Sequence, residues 1–290
     1  MLKKLLNQAT LELTIEAQGP LLIKSGVEGG ADPSMPDMQF VRSGGQVYIP
    51  GSSLKGVFRS YAEKIARTMG VSCCNPFDDS FCGKKAEKAK VRTGAAIYSN
   101  RSYACRICQL FGSTAMAGRI KFNDAYLPDG HNPATETRTG VAIDRILGSV
   151  AHGPFDFEVV TQGKFKTSIT LRNFELWQLG MLTLVIRDLA EGLIPIGFGK
   201  SRGLGEVRAA VGTFGVRYVG PAGAPPTPTQ MVYGVGALAG TERVAYGFQE
   251  NDIIVLEHNG MLDTEDLLGI RVSFDTEAQK EIFHKCVNER

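Results

Sequence analysis

The sequence predicts an α+β fold in which helices cover one side of a sheet, and three observations carry that expectation. Residues 9–17 alternate apolar and polar side chains with period two, as a strand with one buried face does. Two longer stretches, 54–69 and 176–193, carry apolar residues at three- and four-residue spacing or more densely, as core helices do. Short strand-like runs stand between and beside them, so segregated helices and strands share one core.

The elements follow in chain order. Gly19 to Asp37 is rich in Gly, Pro, Ser and Asp and has no periodicity, which predicts a long loop, and long loops inside compact domains tend to carry function. Val47-Tyr-Ile-Pro50 reads as a short strand ended by proline, and Gly51-Ser-Ser53 as a turn with a helix N-cap. In the helix 54–69, Val57, Phe58, Tyr61, Ile65 and Met69 define the expected buried face. Residues 119–127 alternate again, and 155–160 and 168–171 read as further strands. Between Leu127 and Phe155 the Thr- and Arg-rich stretch has no continuous apolar face and suits a protruding hairpin. The resulting order β, β, α, β, β, α, β fits a ferredoxin-like or RRM-like sheet. The expected core spans 1–217, with an insertion at 70–118 and the hairpin at 128–154. A Pro-rich linker at 218–230 and an appendage at 231–290 follow.

The chain has 290 residues, 43% hydrophobic, enough for a substantial core, and a net charge of only +2, so a polyanion partner would have to be met by a local surface. No apolar run reaches the length of a signal-peptide core or a membrane span, so a cytoplasmic protein without membrane association is expected. Five of the six cysteines fall between Cys73 and Cys108. In a reducing compartment such clustering predicts a metal site rather than disulfides. Cys105-Arg-Ile-Cys108 is the tight half of a zinc knuckle, and Cys74 with Cys82 would complete four thiolates, Cys73 competing with Cys74 for one position. A structural Zn²⁺ would also explain how a lysine-rich insertion is ordered without an apolar core.

Residues 194–207, Ile-Pro-Ile-Gly-Phe-Gly-Lys-Ser-Arg-Gly-Leu-Gly-Glu-Val, set four glycines around Lys200, Ser201 and Arg202. Glycines let backbone amides approach a phosphate and the cations neutralise it, although a plain turn has the same composition. The spacing is not that of a P-loop, and the run precedes a strand, unlike a dinucleotide-binding turn. At Pro50-Gly-Ser-Ser-Leu-Lys-Gly56, Ser52, Ser53 and the first helical amides would make an anion site, with Lys55 and Arg59 one turn apart beside it.

These two motifs, in this order, resemble the RAMP superfamily, and within it the backbone subunits (the seventh Cas family) of type III CRISPR effector complexes, whose copies polymerise along a guide RNA. The resemblance spans roughly residues 8 to 216. It implies that Ser52, Ser53, Lys55 and Arg59, with Lys200, Ser201 and Arg202, bind the backbone of a guide crRNA, beside other subunits of the complex. It also implies that the loop after the first strand presents an aspartate for cleavage of a complementary target RNA with Mg²⁺ or Mn²⁺. Asp37, five residues before Arg42 at the end of a short apolar run, has the expected register, and Arg42 is counted with the RNA contacts. Asp32, which precedes a proline and suits a turn, is held in reserve. The hairpin resembles the family's thumb, with Arg138 and Arg145 placed for phosphates and Val141 and Ile143 for bases or sugars.

Three readings stand beside one another: a guide-binding subunit that cuts its target, the same scaffold without cutting, and an unrelated zinc-containing single-stranded RNA binder. A guide-processing nuclease would want a histidine for proton transfer, yet His131 and His152 lie in the hairpin and His258 and His284 in the tail.

Overall fold

A computed structural model describes residues 3–26, 36–128, 133–219 and 231–255. In chain order the elements begin with β1 (Asn7–Ala17), β2 (Arg42–Ser43), β3 (Gln46–Val47), α1 (Gly51–Thr68), α2 (Cys82–Lys88), α3 (Gly94–Ser99) and α4 (Arg106–Phe111). Next come β4 (Gly112–Ser113), β5 (Met116–Ala117), β6 (Ile120–Phe122), β7 (Thr135–Ile143), β8 (Val150–Val160), β9 (Lys164–Arg172) and α5 (Leu176–Ala190). A single 3₁₀ turn at Lys200–Arg202 precedes β10 (Val207–Tyr218), and β11 (Met231–Tyr233), α6 (Val235–Leu238), α7 (Glu242–Tyr246) and β12 (Ile253–Val255) follow.

The central sheet has the order β10-β1-β9-β6, with every neighbouring pair antiparallel. Since α1 lies between β1 and β6 in the chain and α5 between β9 and β10, this is the split β-α-β arrangement of a ferredoxin-like core. Period two decides the faces: Ala9, Leu11, Leu13 and Ile15 of β1 and Phe165, Ile169 and Leu171 of β9 are buried. The alternate residues, such as Glu12, Lys164 and Lys166, are polar and more exposed. Both long helices pack beside each other, α1 reaching β6 and α5 reaching β10.

Helix α1 begins earlier than its sequence pattern suggests. Pro50 holds the N-cap position without a side-chain bond, and the Asp124 carboxylate accepts the Gly51 amide at 2.7 Å. Ser52 and Ser53 therefore stand inside the first turn rather than capping it. The buried stripe is Leu54, Phe58, Ala62 and Ala66, while Val57, Tyr61, Ile65 and Met69 flank it half-buried. Small alanines at i, i+4 spacing carry the seam, and residue counting by bulk alone displaces the face by one position. Helix α5 ends at Ala190, three residues short of the expected Leu193, at a turn in which Gly192 takes φ +79°.

Two excursions leave the core. Between α1 and β6 lie α2, α3, α4 and the β4–β5 ladder; between β6 and β9 lies the antiparallel hairpin β7–β8, with Thr135 opposite Val160 and Ile143 opposite Val150. The loop after β1 is built into the hairpin root: Leu21 bridges Val160, Met38 bridges Phe157 and Lys24 bridges Phe40. The segment 231–255 packs on the core, with Val232, Val235, Tyr246 and Phe248 buried. Asp252 accepts the amides of Leu176 at 2.9 Å and Gly236 at 3.0 Å, and the Val235 amide donates to the Phe174 carbonyl at 2.6 Å. Asp32, His131, most of the Pro-rich linker and residues 256–290 lie outside the described residues.

Candidate functional site

The glycine-rich loop folds onto the chain just after β1. Phe198 N donates to the Leu22 carbonyl and Gly205 N to the Pro20 carbonyl, each at 2.8 Å. Gly197 and Gly205 adopt φ of +82° and +87°, and a Cβ there would collide with the carbonyl oxygens of Leu22 and Ile196. Both positions thus require glycine on conformational and steric grounds. The tight fold leaves Lys200, Ser201 and Arg202 exposed on the 3₁₀ turn.

That turn faces the first half of α1. Together they border a groove of about 430 Å³ whose polar lining comes from Lys24, Ser53, Ser60 and Lys200, with Ile23 and Phe198 as apolar walls. Two motifs roughly 140 residues apart in the sequence therefore share one cleft. Burial lowers the Lys200 pKa, and neighbouring Lys64 lowers it further. Lys55 is lowered the same way, first by burial and then by Arg59. Crowded ammonium groups of this kind are a natural counterpart to a polyanion. Lys24 and Ser60 escaped the sequence reading because an isolated lysine in a loop and a lone serine on a helix carry no pattern.

Arg59 turns away from this groove. Its guanidinium donates to Glu63 Oε1 at 3.1 Å, to the Gly112 carbonyl at 3.1 Å and to Cys108 Sγ at 3.7 Å. Burial alone would lower its pKa; the Cys108 sulfur, Glu63 and Cys74 outweigh that and leave it raised. The residue is a partner of the cysteine cluster, one helical turn beyond Lys55.

In that cluster the sulfurs of Cys74, Cys82, Cys105 and Cys108 all lie within 4.8 Å of one another. Cys74 and Cys108 are 3.4 Å apart and Cys74 and Cys105 3.8 Å. A tetrahedral zinc with Zn–S bonds of about 2.3 Å requires sulfurs about 3.8 Å apart, a spacing inside the 3.4 to 4.8 Å range of this cluster, so the donor set admits that ion. Cys73 stands outside, its thiol directed at the Val71 carbonyl at 3.5 Å and its pKa pushed up to about 12, chiefly by burial. Hydrogen bonding among the four clustered thiols holds Cys105 low and drives Cys108 high, since neighbouring sulfurs cannot all ionise without a cation among them.

At the hairpin root, the exposed carboxylate of Asp37 accepts the Asp156 amide at 2.9 Å, and Asp156 in turn accepts the Thr139 hydroxyl at 2.6 Å. Asp156 is a second acid beside Asp37 that the sequence did not disclose, because 119 residues separate them. Arg42, expected to touch RNA, is instead clamped by Glu158: its Nη1 donates to Glu158 Oε2 at 2.8 Å, its Nη2 to Oε1, and the Phe40 amide donates to the same carboxylate at 3.0 Å. The bidentate bond raises Arg42 and lowers Glu158 in pKa. Further out, Arg138 pairs with Glu136 at 3.6 Å, Arg145 is exposed, and Val141 and Ile143 are 45% and 64% exposed. The tip adds Ile146 and Leu147, 93% and 79% exposed, which the sequence reading passed over.

A ferredoxin-like sheet with a glycine-rich loop closing over the start of the first helix defines the class of molecule. A family model described as the RAMP superfamily matches residues 14–208, about two-thirds of the chain, and the chain belongs to that superfamily. Membership is consistent with a CRISPR-associated RNA-binding subunit. No curated protein matches the chain. Among the described residues no helix is long and apolar enough to cross a membrane.

Proposed function

We propose that the chain is a guide-RNA-binding backbone subunit of a type III CRISPR interference complex, and that it cleaves complementary target RNA with a divalent ion. The observation that carries this reading is the convergence of α1 and the glycine-rich loop on one groove bordered by Ser53, Lys24 and Lys200. Phosphates of the guide crRNA run through that groove, held by cations and exposed amides, without base readout. Copies of the chain then follow one another along the guide beside other subunits of the complex. Superfamily membership sets aside the alternative of an unrelated zinc-containing RNA binder.

In the cleavage step the 2′-hydroxyl of the target ribose attacks the adjacent phosphorus and the 5′-oxygen of the next nucleotide leaves, taking a proton from water, so that a 2′,3′-cyclic phosphate and a 5′-hydroxyl result. Asp37 accepts the hydroxyl proton or, with the RNA, holds Mg²⁺ or Mn²⁺. Apart from the four cysteines, no group of three or more His, Cys, Asp or Glu among the described residues lies close enough to hold an ion. A non-cleaving scaffold is the second reading, and the bond from Asp156 N to Asp37 favours it, since an anchoring carboxylate has a structural use. Zn²⁺ is assigned to Cys74, Cys82, Cys105 and Cys108, which would hold it as a closed structural site supplying folding energy rather than chemistry.

The test is the Lys55→Ala/Lys200→Ala/Arg202→Ala variant. Against single-stranded RNA its log affinity should fall less steeply with log salt, by about 0.7 for each lost phosphate contact. An unchanged salt slope would remove the groove from the guide path.

A further inference from the structure

Helices α1 and α2 end with the same backbone device. At α1, Gly70 N bonds the Arg67 carbonyl at 3.0 Å and Val71 N reaches back to the Ala66 carbonyl at 2.8 Å. At α2, Lys90 N bonds the Glu87 carbonyl at 3.0 Å and Val91 N reaches back to the Ala86 carbonyl at 3.1 Å. The pivot residue is left-handed in both, with φ +77° at Gly70 and +53° at Lys90. Glycine is the usual occupant of that position because a Cβ is strained there. The first helix uses it; the second carries a lysine at a conformational cost.

The lysine stands at a groove. Lys90, Arg92, Glu87 and Thr114 border a cleft of about 370 Å³ floored by Val91 and Ile97, between the end of α2, α3 and the β4–β5 turn. Residues 82–92 carry Lys84, Lys85, Lys88, Lys90 and Arg92 against one carboxylate, Glu87, in a chain whose net charge is only +2. Lys84 is paired with Asp79. Lys85 and Lys88 in the last turn are accounted for by the negative end of the helix dipole. Lys90 and Arg92 are exposed beyond the helix and border the groove.

We propose that this groove is a second phosphate-binding surface, with Lys90 and Arg92 receiving the backbone of single-stranded RNA on the cysteine-bearing insertion, apart from the cleft between α1 and the glycine-rich loop. The inference rests on the RNA-binding reading of the protein. A lysine thus stands where the backbone favours glycine, and it borders the groove.

Lys90→Gly separates structure from binding, because it relieves the left-handed strain while removing the charge. In the full chain, Lys90→Gly with Arg92→Gln should melt no lower than the parent. Its affinity for a long mixed-sequence single-stranded RNA should fall roughly tenfold at physiological salt, with the salt slope reduced by about 1.4 for two contacts. Unchanged affinity and slope overturn the proposal, and that is also the result expected if the groove receives an acidic protein surface. Loss of affinity in the Lys55/Lys200/Arg202 variant together with parent-like binding in this one would overturn the second surface alone. A parent chain that binds no RNA would overturn both readings.

Discussion

Arg59 donates to a carboxylate, a carbonyl and a sulfur at once, and its charge opposes that of the thiolates around it. Four thiolates around a divalent ion would leave two excess negative charges, one of which the guanidinium on Cys108 would offset. Outer-shell partners of this kind commonly set metal affinity by 10–100-fold. Arg59→Gln is therefore expected to lower zinc affinity by about that factor in chelator competition, and Arg59→Lys to recover part of it; equal affinities in all three proteins would exclude the role. Asp37 poses a sharper question, since its carboxylate also anchors the Asp156 amide. Asp37→Ala is expected to cost about 10²–10⁴-fold in target cleavage with guide and target binding retained, leaving the parent's 5′ fragment to end in a 2′,3′-cyclic phosphate. Asp37→Asn keeps an acceptor for the amide, so parent-like cutting by that variant would reassign the residue to anchoring. Neither partner arrangement was legible beforehand: the spacing of Lys55 and Arg59 put them on one helical face, but only the packed insertion decides that Arg59 turns to sulfur. For Arg42, likewise, Glu158 lies 116 residues away.

At the scale of elements, the two long helices were readable from their apolar spacing and the hairpin from its polar, Thr- and Arg-rich composition, and their ends were not. Asp124, far along the chain, takes the first amide of α1, so a local capping rule looked for the start three residues late. The buried seam of α1 runs through Ala62 and Ala66, small residues that periodicity weighs lightly against Val57 and Ile65. Segment 231–255 had no period to read, yet Asp252 joins it to the start of α5. Burial, then the charge of Glu175, raise the Asp252 pKa from 3.8 to about 7 against the pull of two amides. The folded protein therefore holds this proton while the unfolded chain releases it, and stability declines as pH rises from about 4 to about 7. Hydrogen exchange at the Leu176 and Gly236 amides, corrected for intrinsic rates, should report progressively easier opening across that window. Asp252→Asn should flatten the dependence, and an unaltered pH profile in the variant would place the titration elsewhere.

For the molecule as a whole, the class of fold was legible, but the expected order β, β, α, β, β, α, β carried one strand too many: the run at Val47 pairs with Arg42–Ser43, outside the four-stranded sheet. The cysteine cluster was half legible: spacing isolated Cys105 and Cys108, while the choice between Cys73 and Cys74 needed the folded chain, in which one thiol points to the Val71 carbonyl and the other to Cys108. Least legible was the groove, whose walls come from Lys24, α1 and Lys200 and meet only after the sheet has formed. That groove is the centre of the account, and the most direct test is a density map of the particle assembled with guide RNA. Successive copies of this chain should follow one guide, with phosphates lying between α1 and the turn at Lys200–Arg202. A particle with a single copy, or with the guide crossing another face and leaving that groove open, would contradict it.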